Sequence, residues 1–156
     1  MKLNHLLLVT TLAAPSSVTA WETGQELSKV VYSSIDASGN GALDFGEVTE
    51  MAESIAVSAD SDDNEQISLA EFIAWDFGFA FLAEKEGDGD AIQTVKRVMF
   101  AVVDLDDDDA IDEGEWRLDT RWNFERADLD ANGLLTEREF LNGWTPIVML
   151  KAGKGR

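Results

Sequence analysis

Val48, Met51, Ala52 and Ile55 fall at i, i+3, i+4 and i+7, which predicts an amphipathic helix with one apolar stripe. Ile92, Val95, Val98, Met99 and Val102 predict a second helix with those residues along one side. An earlier helix is expected to carry Leu27, Val30, Val31 and Ile35, opened by the capping-box spacing of Thr23-Gly24-Gln25-Glu26. Phe72 to Leu82 is apolar on nearly every side, as a helix buried in the core would be. Gly87-Asp88-Gly89-Asp90 reads as a flexible break between two halves. Pro146 is expected to stop the last helix, leaving a tail that is apolar from Ile147 to Leu150 and then basic. Docking of this tail on the acidic body is the preferred reading, and contact with a partner is the alternative. The pattern predicts an all-α chain of helix-loop-helix repeats in two pairs, with at most short β-bridges between loops.

The stretches between the helices repeat. Asp36–Glu47, Asp60–Glu71, Asp104–Glu115 and Asp128–Glu139 are each twelve residues long, begin with Asp and end with Glu. Position 8 is apolar every time: Leu43, Ile67, Ile111 and Leu135. Aromatic residues stand four positions before three of the loops (Tyr32, Phe100, Phe124), and Val48, Phe72, Trp116 and Phe140 directly follow the four loops. These are the places where flanking helices would present apolar faces to a core. The expected division is 21–86 for one pair, 87–90 for a linker, 91–145 for the second pair and 146–156 for the tail.

The polar positions have a chemical logic. A hard cation such as calcium takes six to eight oxygens, and a tight loop can aim alternate side chains at one centre. The candidate ligands at positions 1, 3 and 5 are Asp36, Ser38 and Asn40; Asp60, Asp62 and Asn64; Asp104, Asp106 and Asp108; and Asp128, Asp130 and Asn132. Position 7 would offer a backbone carbonyl, from Ala42, Gln66, Ala110 or Leu134. Position 9 (Asp44, Ser68, Asp112, Thr136) would act through a water and also cap the next helix. The closing Glu47, Glu71, Glu115 and Glu139 would clamp the ion with both oxygens. Four loops in register, with matching flanks, are more than the ordinary turn chemistry of Asp, Asn and Gly.

In these residues, from about 24 to 144, the chain resembles the EF-hand superfamily, with four hands in two pairs. The 24-residue spacing within a pair is similar to that of secreted and periplasmic bacterial EF-hand proteins and tighter than in calmodulin-like ones. The resemblance implies calcium binding at the loops and no catalytic activity.

Charge and composition narrow the reading further. The chain has 31 acidic and 12 basic residues, for a formal charge of −19, which disfavours nucleic-acid binding. Its hydrophobic content of 45% is too high for a disordered chain. Residues 1–20 have the layout of a secretory signal: a basic start, a short apolar run from Leu6 to Ala14, and Val18-Thr19-Ala20 for cleavage after Ala20. Secretion or export to a periplasm is therefore expected. The cleaved chain would lose its one His and has no Cys, so His- and Cys-based catalysis and zinc sites are not expected. No membrane span is expected in it either.

The loops are not expected to be equal. Position 6 needs a left-handed turn, and Gly41 and Gly133 supply it, whereas Glu65 and Asp109 do not suit it as well. The loop 60–71 is expected to be weakest. The loop 104–115, with five carboxylates aimed at one centre, is expected either to bind tightly or to suffer from repulsion when metal-free. Val48–Ala59 and Trp116–Ala127 hold neither Gly nor Pro and are either bent or continuous helices. The bend is preferred, because it would let Leu43 meet Ile67, and Ile111 meet Leu135, and so satisfy backbone groups. The functional expectation is a calcium buffer or sensor. The alternative is an interaction module stapled by calcium, in a dockerin-like role with an unidentified protein partner.

Overall fold

The computed structural model describes residues 29–76 and 89–153. The expected signal segment, the capping box at Thr23 and, from the apolar stretch Phe72–Leu82, residues 77–82 lie outside the described residues. Helices dominate, and among the described residues the only strands are short and form two two-stranded sheets. The elements run in this order: α1 (residues 29–35), β1 (Ala42–Asp44), α2 (Phe45–Ala59), β2 (Ile67–Ser68), α3 (Leu69–Ala74), α4 (Gly89–Val103), β3 (Ala110–Ile111), α5 (Glu113–Ala127), β4 (Leu134–Thr136), α6 (Glu137–Gly143) and α7 (Thr145–Gly153).

α2 and α5 are continuous 15-residue helices, so the expected bend does not occur. Each is opened by a complete capping box, Asp44 with Glu47 and Asp112 with Glu115, and nothing inside interrupts the backbone ladder. At 1.5 Å per residue each helix is about 22 Å long, too far for the loops at its two ends to touch. The bridges therefore form between other partners. β1 pairs antiparallel with β4, with Leu43 opposite Leu135, and β2 with β3, with Ile67 opposite Ile111. The expected bridges, Leu43 with Ile67 and Ile111 with Leu135, are replaced by crosswise ones. The backbone groups that motivated the bend are satisfied by a loop from the other half of the chain.

Crosswise pairing runs α2 and α5 antiparallel, each spanning from one bridge to the other. Phe45 at the start of α2 meets Phe124 near the end of α5 edge-on, with ring centroids 5.3 Å apart. Trp116 near the start of α5 donates its indole N–H to the carbonyl of Ala52 at 2.8 Å.

The core divides accordingly into two clusters, and each draws on both sides of residues 87–90. The first holds Tyr32, Ile35, Leu43, Val48, Phe124, Ala127, Leu135, Phe140, Trp144 and Ile147. The second holds Ala59, Ile67, Phe72, Met99, Phe100, Val103 and Ile111. All four position-8 residues are buried to 3% exposure or less. Burying each contributes roughly 1.5–3 kcal/mol.

Further expectations are revised. α3 ends at Ala74, with Trp75 in extended backbone as its C-cap, so the helix that carries Phe72 and Ile73 stops before Trp75. α4 begins at Gly89, inside the expected linker. Its buried residues are Ile92, Lys96, Met99, Phe100 and Val103, while Val98 and Val102 lie on its exposed flank. Pro146 opens α7 instead of ending a helix, because its fixed φ and missing N–H are compatible with a first turn. Ile147 is buried in the first cluster, and Met149 packs against the second.

Candidate metal centres

Each loop is shaped by one set of hydrogen bonds, used four times. The position-1 Asp accepts two backbone N–H groups from across the loop. Asp36 takes them from Asn40 and Gly41, Asp60 from Asn64 and Glu65, Asp104 from Asp108 and Asp109, and Asp128 from Asn132 and Gly133. Distances run from 2.8 Å at Gly41 to 3.2 Å at Asp109. The position-5 side chain, Asn40, Asn64, Asp108 or Asn132, accepts the N–H two residues on. This is the Asx turn that short polar side chains favour.

The closing Glu ties the loop end to end. One carboxylate oxygen accepts the N–H of the position-9 N-cap: Asp44, Ser68, Asp112 or Thr136. The other accepts from the loop's start: Ser38 to Glu47, Ser61 to Glu71, Leu105 to Glu115 and Leu129 to Glu139. All four helices after the loops thus carry full capping boxes, as the residue types at positions 9 and 12 predict.

Three loops gather carboxylates closely. In the sets Asp60, Asp62, Glu71; Asp104, Asp106, Glu115; and Asp128, Asp130, Glu139, one oxygen from each residue lies within 4.8 Å of the others. In the loop 36–47 position 3 is Ser38, whose hydroxyl donates to Asp36 at 3.3 Å. The position-7 residues Ala42, Ala110 and Leu134 open their strands, and Gln66 directly precedes β2. Positions 1, 3, 5, 9 and 12 of every loop offer only oxygen. Such a donor set fits a hard cation and not one that prefers nitrogen or sulfur.

Position 6 is left-handed in all four loops, as the turn requires: φ is 83° at Gly41, 66° at Glu65, 67° at Asp109 and 80° at Gly133. Position 4, unremarked in the sequence, is left-handed as well, at Gly39, Asp63, Asp107 and Ala131. The Gly39-x-Gly41 spacing was the available signal for this second turn. Ala131, with neither glycine's freedom nor a local polar group, is strained there by about 1–2 kcal/mol.

The electrostatics differ from loop to loop. Glu71 is pulled down to about 2, first by the backbone N–H of Ser68, then by the hydroxyls of Ser68 and Ser61. The Thr136 hydroxyl likewise lowers Glu139. The Gly41 N–H lowers Asp36. Asp106 moves the other way, raised chiefly by the charge of Asp108, so the carboxylates of the loop 104–115 repel one another when no cation is present.

One positioning residue was missed from sequence. Lys96 is only 1% exposed, and its ammonium donates to the carbonyls of Ile73, at 2.7 Å, and Trp75. It thereby caps the carbonyl end of α3, the helix leaving the loop 60–71. Its place on the same stripe as Ile92, Met99 and Val103 was the clue, but charge alone marks a lysine as exposed. No family model matches the chain, and neither does any curated protein or solved structure.

Proposed function

We propose that this protein is a calcium-ion binding protein of the EF-hand type, exported from the cytoplasm, that acts as a calcium buffer or sensor through loops 36–47, 60–71, 104–115 and 128–139. The observation that carries this reading is the convergence, in three of these loops, of carboxylate oxygens from positions 1, 3 and 12 to within 4.8 Å. The fourth loop, 36–47, shares the hydrogen-bond scaffold and has Gly at both left-handed positions. When bound, the cation would neutralise carboxylates that otherwise repel one another, and the protein would supply preformed oxygen cages closed by glutamates. No role as an enzyme is proposed. Among the described residues no helix is long and apolar enough to cross a membrane.

Isothermal titration of the metal-stripped protein with Ca²⁺, repeated with Mg²⁺, tests the proposal. Heat of calcium binding saturating at three or four ions per chain is expected, with Mg²⁺ weaker because it demands a smaller octahedral site. Absence of calcium uptake at millimolar concentration would refute it. Circular dichroism with and without chelator should show a higher melting temperature with calcium, since cation binding is then partly folding energy.

A further inference from the structure

We infer that the four loops work as two crosswise pairs, 36–47 with 128–139 and 60–71 with 104–115, and that the Tyr32 hydroxyl is the positioning group that couples the first pair. The inference rests on the calcium-binding reading and adds which site speaks to which. Chain order gives each loop a neighbour 24 residues away, and the structure separates those neighbours by a rigid helix of about 22 Å. Loops far apart in sequence instead share backbone hydrogen bonds, through Leu43 opposite Leu135 and Ile67 opposite Ile111. A cation that holds a loop's position-7 carbonyl fixes the strand residue beside it. The bridged loop then has less backbone freedom left to lose on binding its own ion. That difference is a coupling free energy, and it acts only across a shared bridge.

Tyr32 makes the first pair different from the second. It is the one tyrosine in the chain and is buried in α1. Its hydroxyl lies 2.9 Å from the Gly41 carbonyl of one loop and 3.0 Å from the Leu135 carbonyl of the other. A phenol has one proton, so it is shared between the two carbonyls, and moving either loop disturbs the bond to the other. The ring is held by Phe140, 5.6 Å away between centroids, just after the second loop. In the second pair the residues standing four positions before the loops are Ala56 and Phe100, which have no hydroxyl.

The test is a calcium titration of the full chain followed by NMR at the position-6 amides of Gly41, Glu65, Asp109 and Gly133, one per loop. Glu47→Gln should move the Gly133 midpoint to higher calcium by about fivefold or more while that of Glu65 stays in place. Glu71→Gln should do the same to Asp109 and leave Gly41 alone. Movement of Glu65 in Glu47→Gln, with Gly133 unmoved, would overturn the inference in favour of coupling along α2. Glu47→Asp, which keeps the charge, replaces the first variant if it does not fold. Tyr32→Phe should weaken the Gly41–Gly133 coupling and leave the Glu65–Asp109 coupling intact; a lower melting temperature with both couplings unchanged would make Tyr32 merely structural. If no amide responds to calcium, the binding reading itself fails. Hydrogen exchange of the metal-free chain then decides the pairing: Tyr32→Phe should speed exchange at 42–44 and 134–136 together, and a change confined to 42–44 would refute it.

Discussion

The two ends of the molecule build the same loop from opposite chemistry. At the end formed by 36–47 and 128–139, the four left-handed positions are Gly39, Gly41, Ala131 and Gly133. At the end formed by 60–71 and 104–115 they are Asp63, Glu65, Asp107 and Asp109, every one an acid with a Cβ. The first pair of loops holds seven acidic residues and the second thirteen. Bridge, caps and hydrogen-bond scaffold are nonetheless alike. The first end takes its shape mostly through glycine, with Ala131 the exception, so less strain and less charge oppose its loops. The second holds the same shape against the strain at Glu65 and against charge repulsion, which a bound cation would relieve. The lesson is that one backbone geometry can be reached with little opposing charge or with much, according to which residues occupy two turn positions per loop.

Four measurements would break or sharpen this contrast. The largest effect is expected from the bridge residues. Leu135→Ala should lower stability by about 2–5 kcal/mol in urea denaturation, and Ile111→Ala by a similar amount. In the metal-free protein the first should cost more than the second, because it damages the end whose loops carry less charge repulsion. A negligible loss from Leu135→Ala would remove the distinction. Next comes Gly143, where an added Cβ would lie 2.7 Å from the Ala127 Cα at the junction of α5 and α6. Gly143→Ala should cost about 1–3 kcal/mol and speed amide exchange near Leu135 more than near Ile67.

Relief of strain should be smaller. Glu65→Gly is expected to stabilise the metal-free protein by about 1 kcal/mol, whereas Gly41→Ala should destabilise it by a similar amount. Melting curves with equal shifts of one sign for both would contradict the account of position 6. Acid should produce the smallest effect, and in opposite directions within the second pair. Glu71 is held at about 2 against an ordinary 4.5, so its stabilisation is complete above 4.5 and is lost as pH falls toward 2. Asp106 is raised above its ordinary 3.8, so it opposes folding at neutral pH and ceases to do so as it becomes protonated. Glu71→Gln should flatten the acid loss of metal-free stability, and Asp106→Asn should raise stability at pH 7 more than at pH 3.

Much of the site was legible because its causes lie within twelve residues. The position-1 Asp, the Asx turn at position 5, the cap at position 9 and the closing Glu bond to one another inside each loop. The apolar position 8 and the flanking aromatics marked the core for the same reason. Less legible were features that depend on what a residue faces. Lys96 is buried because two carbonyl groups at the end of α3, those of Ile73 and its C-cap Trp75, receive it. Val98 and Val102 stay exposed because nothing among the described residues covers that flank of α4. The second left-handed turn at Asp63, Asp107 and Ala131 was hidden because those side chains do not announce it.

Local order in this protein, its four loops and the capped starts of the helices that follow them, was already written in the residue types and their spacing. Partnership was not. Leu43, Ile67, Ile111 and Leu135 are nearly interchangeable as apolar bridge residues, so nothing in any one of them names its opposite. That choice belongs to the tertiary structure. Two uninterrupted helices hold the first loop from the second and the third from the fourth, and their antiparallel packing brings the first loop to the fourth and the second to the third.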